Sequence, residues 1–133
     1  MSNTKKIVRL ISIDDNAIDQ MLIQRLVERS GLVDDFLSFL SAESALKYLE
    51  SKDSPKVDIV LLDINMPLMD GFEFLEAAVY KLGDQFSKCL VVMLTTSLNA
   101  KDLERAENTG IVKEYINKPL TLNHLKELID SYI

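Results

Sequence analysis

The sequence predicts an α/β domain in which a parallel β-sheet of five strands is covered by helices on both faces. Short apolar runs rich in β-branched residues alternate strictly with longer stretches whose apolar residues recur at helical spacing. Parallel strands need crossovers, which helices supply, and these crossovers cover both surfaces of the sheet. A length of 133 residues suffices for one domain with its own core.

The five apolar runs give the predicted strands, which lie at residues 7–13, 36–40, 57–62, 90–94 and 114–116. The pair Asp34-Asp35 precedes the second run and is expected to form a solvated turn. Helical stripes fill the intervals between the strands. The stripe at residues 99–109 has few apolar positions, so we expect that helix to pack most loosely.

Polar residues and glycines mark the expected ends of the helices. Residues able to cap a helix start are Ser41, Asp70 and Thr121, with Asp15 or Asn16 available for the first helix. Glycines stand where three helices should stop, at Gly31, Gly83 and Gly110.

Composition narrows the class of protein. Hydrophobic residues make up 47% and charged residues 27%, as in globular domains. The sequence contains no run of 18 apolar residues, so no membrane span is predicted. The net charge is −6 without a basic cluster, so neither nucleic acid nor membrane is an expected partner. The single Cys89 cannot form an internal disulfide, which fits a cytoplasmic protein. We expect a single domain over residues 1–133, with residues 1–6 frayed.

Polar side chains collect where the predicted strands end. They are Asp14-Asp15 after the first, Asp63 and then Asn65 after the third, Thr95-Thr96-Ser97 after the fourth, and Lys118-Pro119 after the fifth. In open parallel sheets, ligands bind beyond the carboxyl ends of the strands. Three carboxylates, one or two hydroxyls and one ammonium are therefore expected at one edge.

This set of groups favours phosphate chemistry. Carboxylates so close together repel one another unless one is protonated or a cation lies between them, and oxygen ligands in an open cleft suit Mg²⁺. A carboxylate can act as a nucleophile and form an aspartyl phosphate, and Lys118 supplies a positive partner. Taken alone, Asp63 could equally be a loop acid or a helix cap, and Asp14-Asp15 could merely cap the first helix. Their joint placement favours the functional interpretation.

The chain resembles the receiver domains of two-component response regulators, similar to the stand-alone chemotaxis type, over about residues 6–133. Four motifs carry the resemblance: Ile13-Asp14-Asp15-Asn16, Leu62-Asp63-Ile64-Asn65-Met66-Pro67-Leu68-Met69-Asp70-Gly71, Leu94-Thr95-Thr96-Ser97, and Tyr115-Ile116-Asn117-Lys118-Pro119-Leu120. The resemblance implies a doubly wound, flavodoxin-like fold with strand order 2-1-3-4-5. The chain ends after the last predicted helix, with no effector domain. This favours a stand-alone regulator over a fragment of a longer protein.

The resemblance also implies roles for the residues of the edge. Asp63 accepts phosphate from a histidine kinase or a histidine phosphotransfer protein. Mg²⁺ is held by Asp14, Asp15, Asp63 and the backbone carbonyl of Asn65, with Asp15 the more direct ligand than Asp14. Lys118 pairs with the phosphate, and the Lys118–Pro119 peptide is expected to be cis.

The resemblance implies that two residues transmit the conformational change that phosphorylation causes. Thr95 is the switch hydroxyl, with Thr96 as the alternative, and Tyr115 is the switch aromatic. The stretch from Gly110 to Tyr115 is one residue longer than is usual in the family. Phosphorylation is expected to change a surface near residues 95–125 that binds a downstream protein. The oligomeric state stays open.

Three classes of function are separable. The first is a signalling switch with no enzymatic activity beyond self-phosphorylation from a phosphodonor and slow autodephosphorylation. The second is a carboxylate-nucleophile phosphohydrolase, which usually has a second acid two residues on, where this chain has Asn65. The third is a phosphate-independent interaction module. Two further reactive residues have plainer interpretations: His124 as a solvated surface residue and Cys89 as an inert, partly buried thiol.

Overall fold

The computed structural model describes residues 7–51, 56–96 and 99–133, so the expectations for residues 1–6 and for Ser97 lie outside the described residues. Strands and helices follow one another along the chain in these bounds: β1 Ile7–Ile13, α1 Ala17–Ser30, β2 Val33–Phe39, α2 Ala42–Glu50, β3 Ile59–Leu62, α3 Gly71–Leu82, α4 Asp84–Ser87, β4 Leu90–Thr95, α5 Ala100–Thr109, β5 Val112–Asn117 and α6 Leu122–Tyr132. Within the described ranges, no helix has the length and apolar character that crossing a bilayer requires.

The five strands form one parallel sheet in the order β2-β1-β3-β4-β5, which confirms the predicted fold. The order reverses between β1 and β3, so the connections leave these two strands toward opposite faces. That reversal opens a crevice beyond their carboxyl ends, which is where such sheets bind ligands.

Two hydrophobic cores lie on the two faces of the sheet, because successive strand residues point to opposite sides. One face packs on α2, α3, α4 and α5 through strand residues that include Ile11, Val60 and Met93. The other packs on α1 and α6 through residues that include Leu10, Leu61 and Val92. β3 and β4 are buried along their whole length, so their carboxyl ends are held firmly.

The predicted helix ends are confirmed. Side chains of the N-cap residues accept hydrogen bonds from the first turn in five helices; four of these residues were predicted, namely Asn16, Ser41, Asp70 and Thr121, and Asn99 of α5 is the fifth. The three predicted glycines are the C-caps of α1, α3 and α5. Asp70 forms a reciprocal capping box with Glu73, which fixes the start of α3 directly after the loop that follows Asp63.

The prediction of a solvated turn at Asp34-Asp35 was wrong, because both residues lie inside β2. The Asp35 carboxylate pairs with the guanidinium of Arg9 on the neighbouring β1, and the same guanidinium contacts the Tyr48 hydroxyl. An edge strand can carry acids when a neighbouring strand supplies a cation. The short helix α4 also had no separate signal in the sequence.

The extra residue between Gly110 and Tyr115 is absorbed by an irregularity in β5. Val91 pairs with Val112, but the next residue of β4, Val92, pairs with Glu114, so Lys113 has no partner in the register. A bulge adds one residue to one strand without changing the pairing beyond it. Tyr115 and the end of β5 therefore keep their places relative to β4.

α5 is attached loosely, as predicted. Ala106 is the buried residue of this helix, whereas α3 buries five residues. A second tie is the guanidinium of Arg105, which lies 4.2 Å from the ring centroid of Phe72 at the start of α3.

Candidate functional site

Backbone hydrogen bonds continue the sheet ladder past the strand ends and align the site residues. The Asp14 amide donates to the Phe39 carbonyl at 3.0 Å, and the Asp63 amide donates to the Ile13 carbonyl at 3.0 Å. Because these bonds extend the β1 pairings with β2 and β3, Asp14 and Asp63 emerge side by side from adjacent strands. Their proximity is a consequence of register.

Three carboxylates meet at this edge, as predicted. One oxygen from each of Asp14, Asp15 and Asp63 lies within 4.8 Å of the others. Asp14 and Asp63 are 2% and 8% exposed, whereas Asp15 is exposed to solvent. The Asp14 Oδ1 atom also accepts the amide of Asn16 at 2.9 Å, which ties the acid to the N-cap of α1. Two acids of the cluster, Asp14 and Asp63, are therefore buried, and the third, Asp15, faces solvent.

Burial and the charge of a neighbouring acid disfavour the ionised form of Asp63. Desolvation, followed by the negative charge of Asp14, raises the pKa of Asp63 from 3.8 to about 6. Lys118 and the Ile64 amide act in the opposite direction, and that amide donates to the Asp63 Oδ1 atom at 2.9 Å. At pH 7 Asp63 is still mostly ionised, so it retains the lone pairs that a nucleophile needs.

Lys118 supplies the positive charge of the site. Its backbone amide donates to the Thr95 carbonyl at 2.9 Å, and the Lys118–Pro119 peptide is cis, which confirms that prediction. The ammonium donates to Asp14 Oδ2 at 2.6 Å and to Asp19 Oδ2 at 2.9 Å, and it lies 3.8 Å from Asp63 Oδ2. Burial by itself lowers the pKa of Lys118, but the hydrogen bonds to these acids outweigh it and raise the pKa.

The loop after Asp63 returns so close to the end of β3 that the residue at position 71 has no room for a side chain. A Cβ atom on Gly71 would lie 2.5 Å from the Asp63 carbonyl oxygen, and the Gly71 amide donates to the Ile64 carbonyl at 2.8 Å. Leu68 in the same loop has a φ of 69° and is 90% exposed, a strained conformation for a leucine. Asn65, whose carbonyl was expected to hold a metal, lies in this loop with its side chain exposed.

The switch candidates occupy the neighbouring strands. Thr95 is the last residue of β4 and is 1% exposed, whereas Thr96 is exposed beyond the strand. The burial of Thr95 at the site edge favours it over the alternative. Tyr115 on β5 is half-buried, and burial followed by the nearby Glu107, which also hydrogen-bonds with it, raises the pKa of Tyr115.

Sequence reasoning missed two residues that shape the site. Asp19, in the first turn of α1, binds Lys118, although an acid there ordinarily signals only a helix start. Gln20 is 5% exposed, and its side-chain amide donates to the backbone carbonyls of Ser12, Asp14 and Phe39. The available signal was the helical spacing of Gln20 with Ile23 and Val27, which places it on the buried face of α1, where a side-chain amide needs partners.

The two remaining reactive side chains are structural. His124 was interpreted as a solvated residue, but it is half-buried, and its Nδ1 atom accepts the Thr121 amide at 3.0 Å in the capping box of α6. Cys89 is half-buried, and burial raises the pKa of its thiol to about 11, which agrees with an inert side chain.

The donor set fits a hard divalent cation. Carboxylate oxygens are the ligands Mg²⁺ prefers, and an exposed acid beside two buried ones leaves room for the water molecules that this ion retains. Lys118 is the cation that the structure places among these acids, and one ammonium does not balance three carboxylates. A divalent ion would offset the repulsion between the carboxylates of Asp14 and Asp63.

Comparisons with known proteins agree with this geometry. The family model described as "Response regulator receiver domain" matches residues 10–130. The probable methanogenesis regulatory protein FilR2 of Methanothrix harundinacea is 32% identical over 92% of this chain and 79% of its own length. The hybrid signal transduction histidine kinase L of Dictyostelium discoideum is 28% identical over 97% of this chain, which spans only 7% of that protein. A two-component response regulator structure from Cytophaga hutchinsonii superposes with a TM-score of 0.89 at 28% identity, covering 96% of this chain and 98% of its own.

Proposed function

Because this chain belongs to the response regulator receiver domains of two-component signalling, we propose that it is a phosphorylation-activated switch whose acceptor is Asp63. The observation that carries this proposal is the juxtaposition of Asp63 with two further carboxylates and the Lys118 ammonium at the carboxyl edge of the sheet. The donor is a phosphohistidine on a histidine kinase or on a histidine phosphotransfer protein.

In the proposed reaction, a carboxylate oxygen of Asp63 attacks the phosphorus of the donor. The bond from phosphorus to the donor nitrogen breaks, the imidazole leaves with that electron pair, and an acyl phosphate forms on Asp63. Ionisation of Asp63 supplies the nucleophile, and the Ile64 amide orients its carboxylate. Lys118 attracts the transferred oxygens, because its ammonium already lies near Asp63.

The residues that would hold Mg²⁺ are Asp14, Asp15, Asp63 and the backbone carbonyl of Asn65. When bound, the ion would neutralise the charge that the phosphoryl oxygens bring to an acidic site. Asn65 stands where a phosphohydrolase usually has a second acid that protonates the leaving group, so this position supplies no general acid for repeated turnover. Stoichiometric uptake followed by slow loss is therefore the expected activity.

The output of the switch is a change in a protein-binding surface near residues 95–125. Phosphoryl oxygens on Asp63 place new acceptors at the edge where Thr95 ends β4, and a charge-assisted hydrogen bond would draw its hydroxyl toward them. Tyr115, linked to Glu107 on α5, would then turn inward and release that helix. With one buried residue, α5 can rearrange at low cost. The expected gain in partner affinity is about 1–3 kcal/mol.

The test is intact-mass measurement after incubation with Mg²⁺ and a small phosphodonor. We expect one phosphate on the wild type, none on Asp63→Asn, and normal uptake by Asp70→Asn. That control removes an acid from the same loop, while asparagine caps a helix about as well as aspartate. Turnover of the phosphodonor without accumulation would instead indicate a phosphohydrolase, and no reaction would indicate a phosphate-independent module.

The switch has its own test, which is amide hydrogen exchange with and without beryllofluoride, a phosphoryl mimic. Exchange should change in α5 and β5 of the wild type. Thr95→Ala should still accept phosphate and show a weaker response there. A response confined to the loop after Asp63 would contradict a switch that runs through Thr95 and Tyr115.

A further inference from the structure

The Lys118 ammonium is shared among carboxylates from three elements. Its hydrogen bonds go to Asp14 after β1 and to Asp19 in α1, while Asp63 after β3 lies nearby. Asp19 is outside the set of residues with a role in the proposed reaction. It nevertheless binds the one ammonium on which that reaction depends.

The distances show which carboxylates hold the ammonium. Asp14 and Asp19 lie at 2.6 and 2.9 Å, which are hydrogen-bond distances, whereas the nearest Asp63 oxygen is at 3.8 Å and outside that range. An ammonium has three N–H donors, and these two acids engage two of them. Lys118 is therefore hydrogen-bonded to Asp14 and Asp19, whereas its contact with the acceptor is a longer ion pair without a hydrogen bond.

Exposure shows which of these contacts can be exchanged. The side chain of Asp14 is 3% exposed and that of Asp19 is 28% exposed, with Lys118 at 11%. Asp19 is partly hydrated, so losing its ammonium partner costs less than leaving a buried Asp14 unpaired. The Asp19 contact is the one that a stronger anion on Asp63 would displace.

We propose that Asp19 is a positioning residue that holds the Lys118 ammonium away from Asp63 and competes for it with the incoming phosphoryl group. This inference rests on the proposed function of Asp63. Asp19 thus lowers the rate of phosphate uptake and the affinity for phosphoryl mimics, and it keeps the resting state unphosphorylated when donors are scarce. Its effect passes entirely through the ion pair with Lys118.

A purely structural role for Asp19 predicts a different result. An acid in the first turn stabilises the start of a helix, so its loss would lower the melting temperature and leave phosphorylation unchanged. The cap itself does not need the Asp19 side chain, because the Asn16 side chain accepts the Asp19 backbone amide at 3.0 Å. Variants at position 19 should therefore fold.

The experiment compares Asp19→Asn with the wild type, using a small phosphodonor for the rate of uptake and beryllofluoride for equilibrium affinity, both with Mg²⁺. We expect the uptake rate and the beryllofluoride affinity to rise about three- to tenfold, the scale set by a partly exposed ion pair. Asp19→Glu keeps the charge and should return both values toward wild type. High salt should shrink the difference between wild type and Asp19→Asn, because screening weakens this pair.

Glu28→Gln is the matched control, since it removes the same charge from an exposed position on the same helix. Unchanged or slower uptake by Asp19→Asn, or an equal increase in Glu28→Gln, would overturn the proposal. Asp19→Ser serves as a second neutral variant and must agree with Asp19→Asn. If the wild type takes up no phosphate, the proposed function fails and this inference fails with it. If the wild type is phosphorylated and Asp19→Asn matches it, only the inference fails.

Discussion

Asp63→Asn should stabilise the metal-free protein at neutral pH while it removes the proposed acceptor. The pKa of Asp63 rises from 3.8 to about 6, chiefly through burial and then through Asp14. An acid with a higher pKa in the folded chain binds more protons there, so the free energy of unfolding falls as the pH rises between those values. The shift of about 2 pH units corresponds to at most about 3 kcal/mol.

Asparagine keeps the shape of the side chain and an oxygen that can accept the Ile64 amide. It loses the attraction of Lys118, which nevertheless keeps its bonds to Asp14 and Asp19. We therefore expect the variant to gain about 1–3 kcal/mol in free energy of unfolding above pH 7. The gain should vanish near pH 4, where the wild-type Asp63 is protonated in the folded chain.

Urea unfolding of both proteins across this pH range, with a chelator present, measures the difference. Glu76→Gln on the exposed side of α3 is the control for loss of one negative charge. Added Mg²⁺ should stabilise the wild type more than the variant and so reduce or reverse the gap. If the two proteins have the same free energy of unfolding at pH 7, or if their difference stays constant from pH 4 to pH 8, the buried Asp63 carboxylate does not destabilise the folded state.

Three further outcomes follow from the same edge. Asp15→Ala should weaken Mg²⁺ binding at least tenfold by calorimetry. The free energy of unfolding of the metal-free protein should stay the same or rise, because the substitution removes one of three carboxylates that repel one another. Unchanged Mg²⁺ affinity would mean that other groups hold the ion. Gly71→Ala should lower the free energy of unfolding by about 1–3 kcal/mol and slow phosphate uptake, because its Cβ would meet the Asp63 carbonyl oxygen at 2.5 Å. Leu68→Gly should raise the free energy of unfolding by about 0.5–1 kcal/mol in urea unfolding, since glycine relieves the φ of 69°. A loss of stability there would show that the exposed leucine is not strained.

The sequence alone was sufficient for the architecture and for most of the site. Strand and helix periodicities differ, so the alternation of the two could be recognised without tertiary information. Once the sheet was parallel, the residues following its strands had to share an edge, and this placed Asp14, Asp63 and Lys118 together. The cis peptide before Pro119 was also predicted, because the family motif stands intact at that position.

Tertiary structure decided what depends on contacts distant along the chain. β2 starts at Val33 because the acids at its beginning lie beside β1, where Arg9 pairs with Asp35, and no local pattern encodes that partner. The bulge at Lys113 depends on the register between β4 and β5. Asp19 binds Lys118 across 99 positions of sequence, and in the sequence it is indistinguishable from any acid at a helix start. Local patterns specify which elements form, whereas the partners of a charged side chain are chosen only when the folded chain brings those elements together.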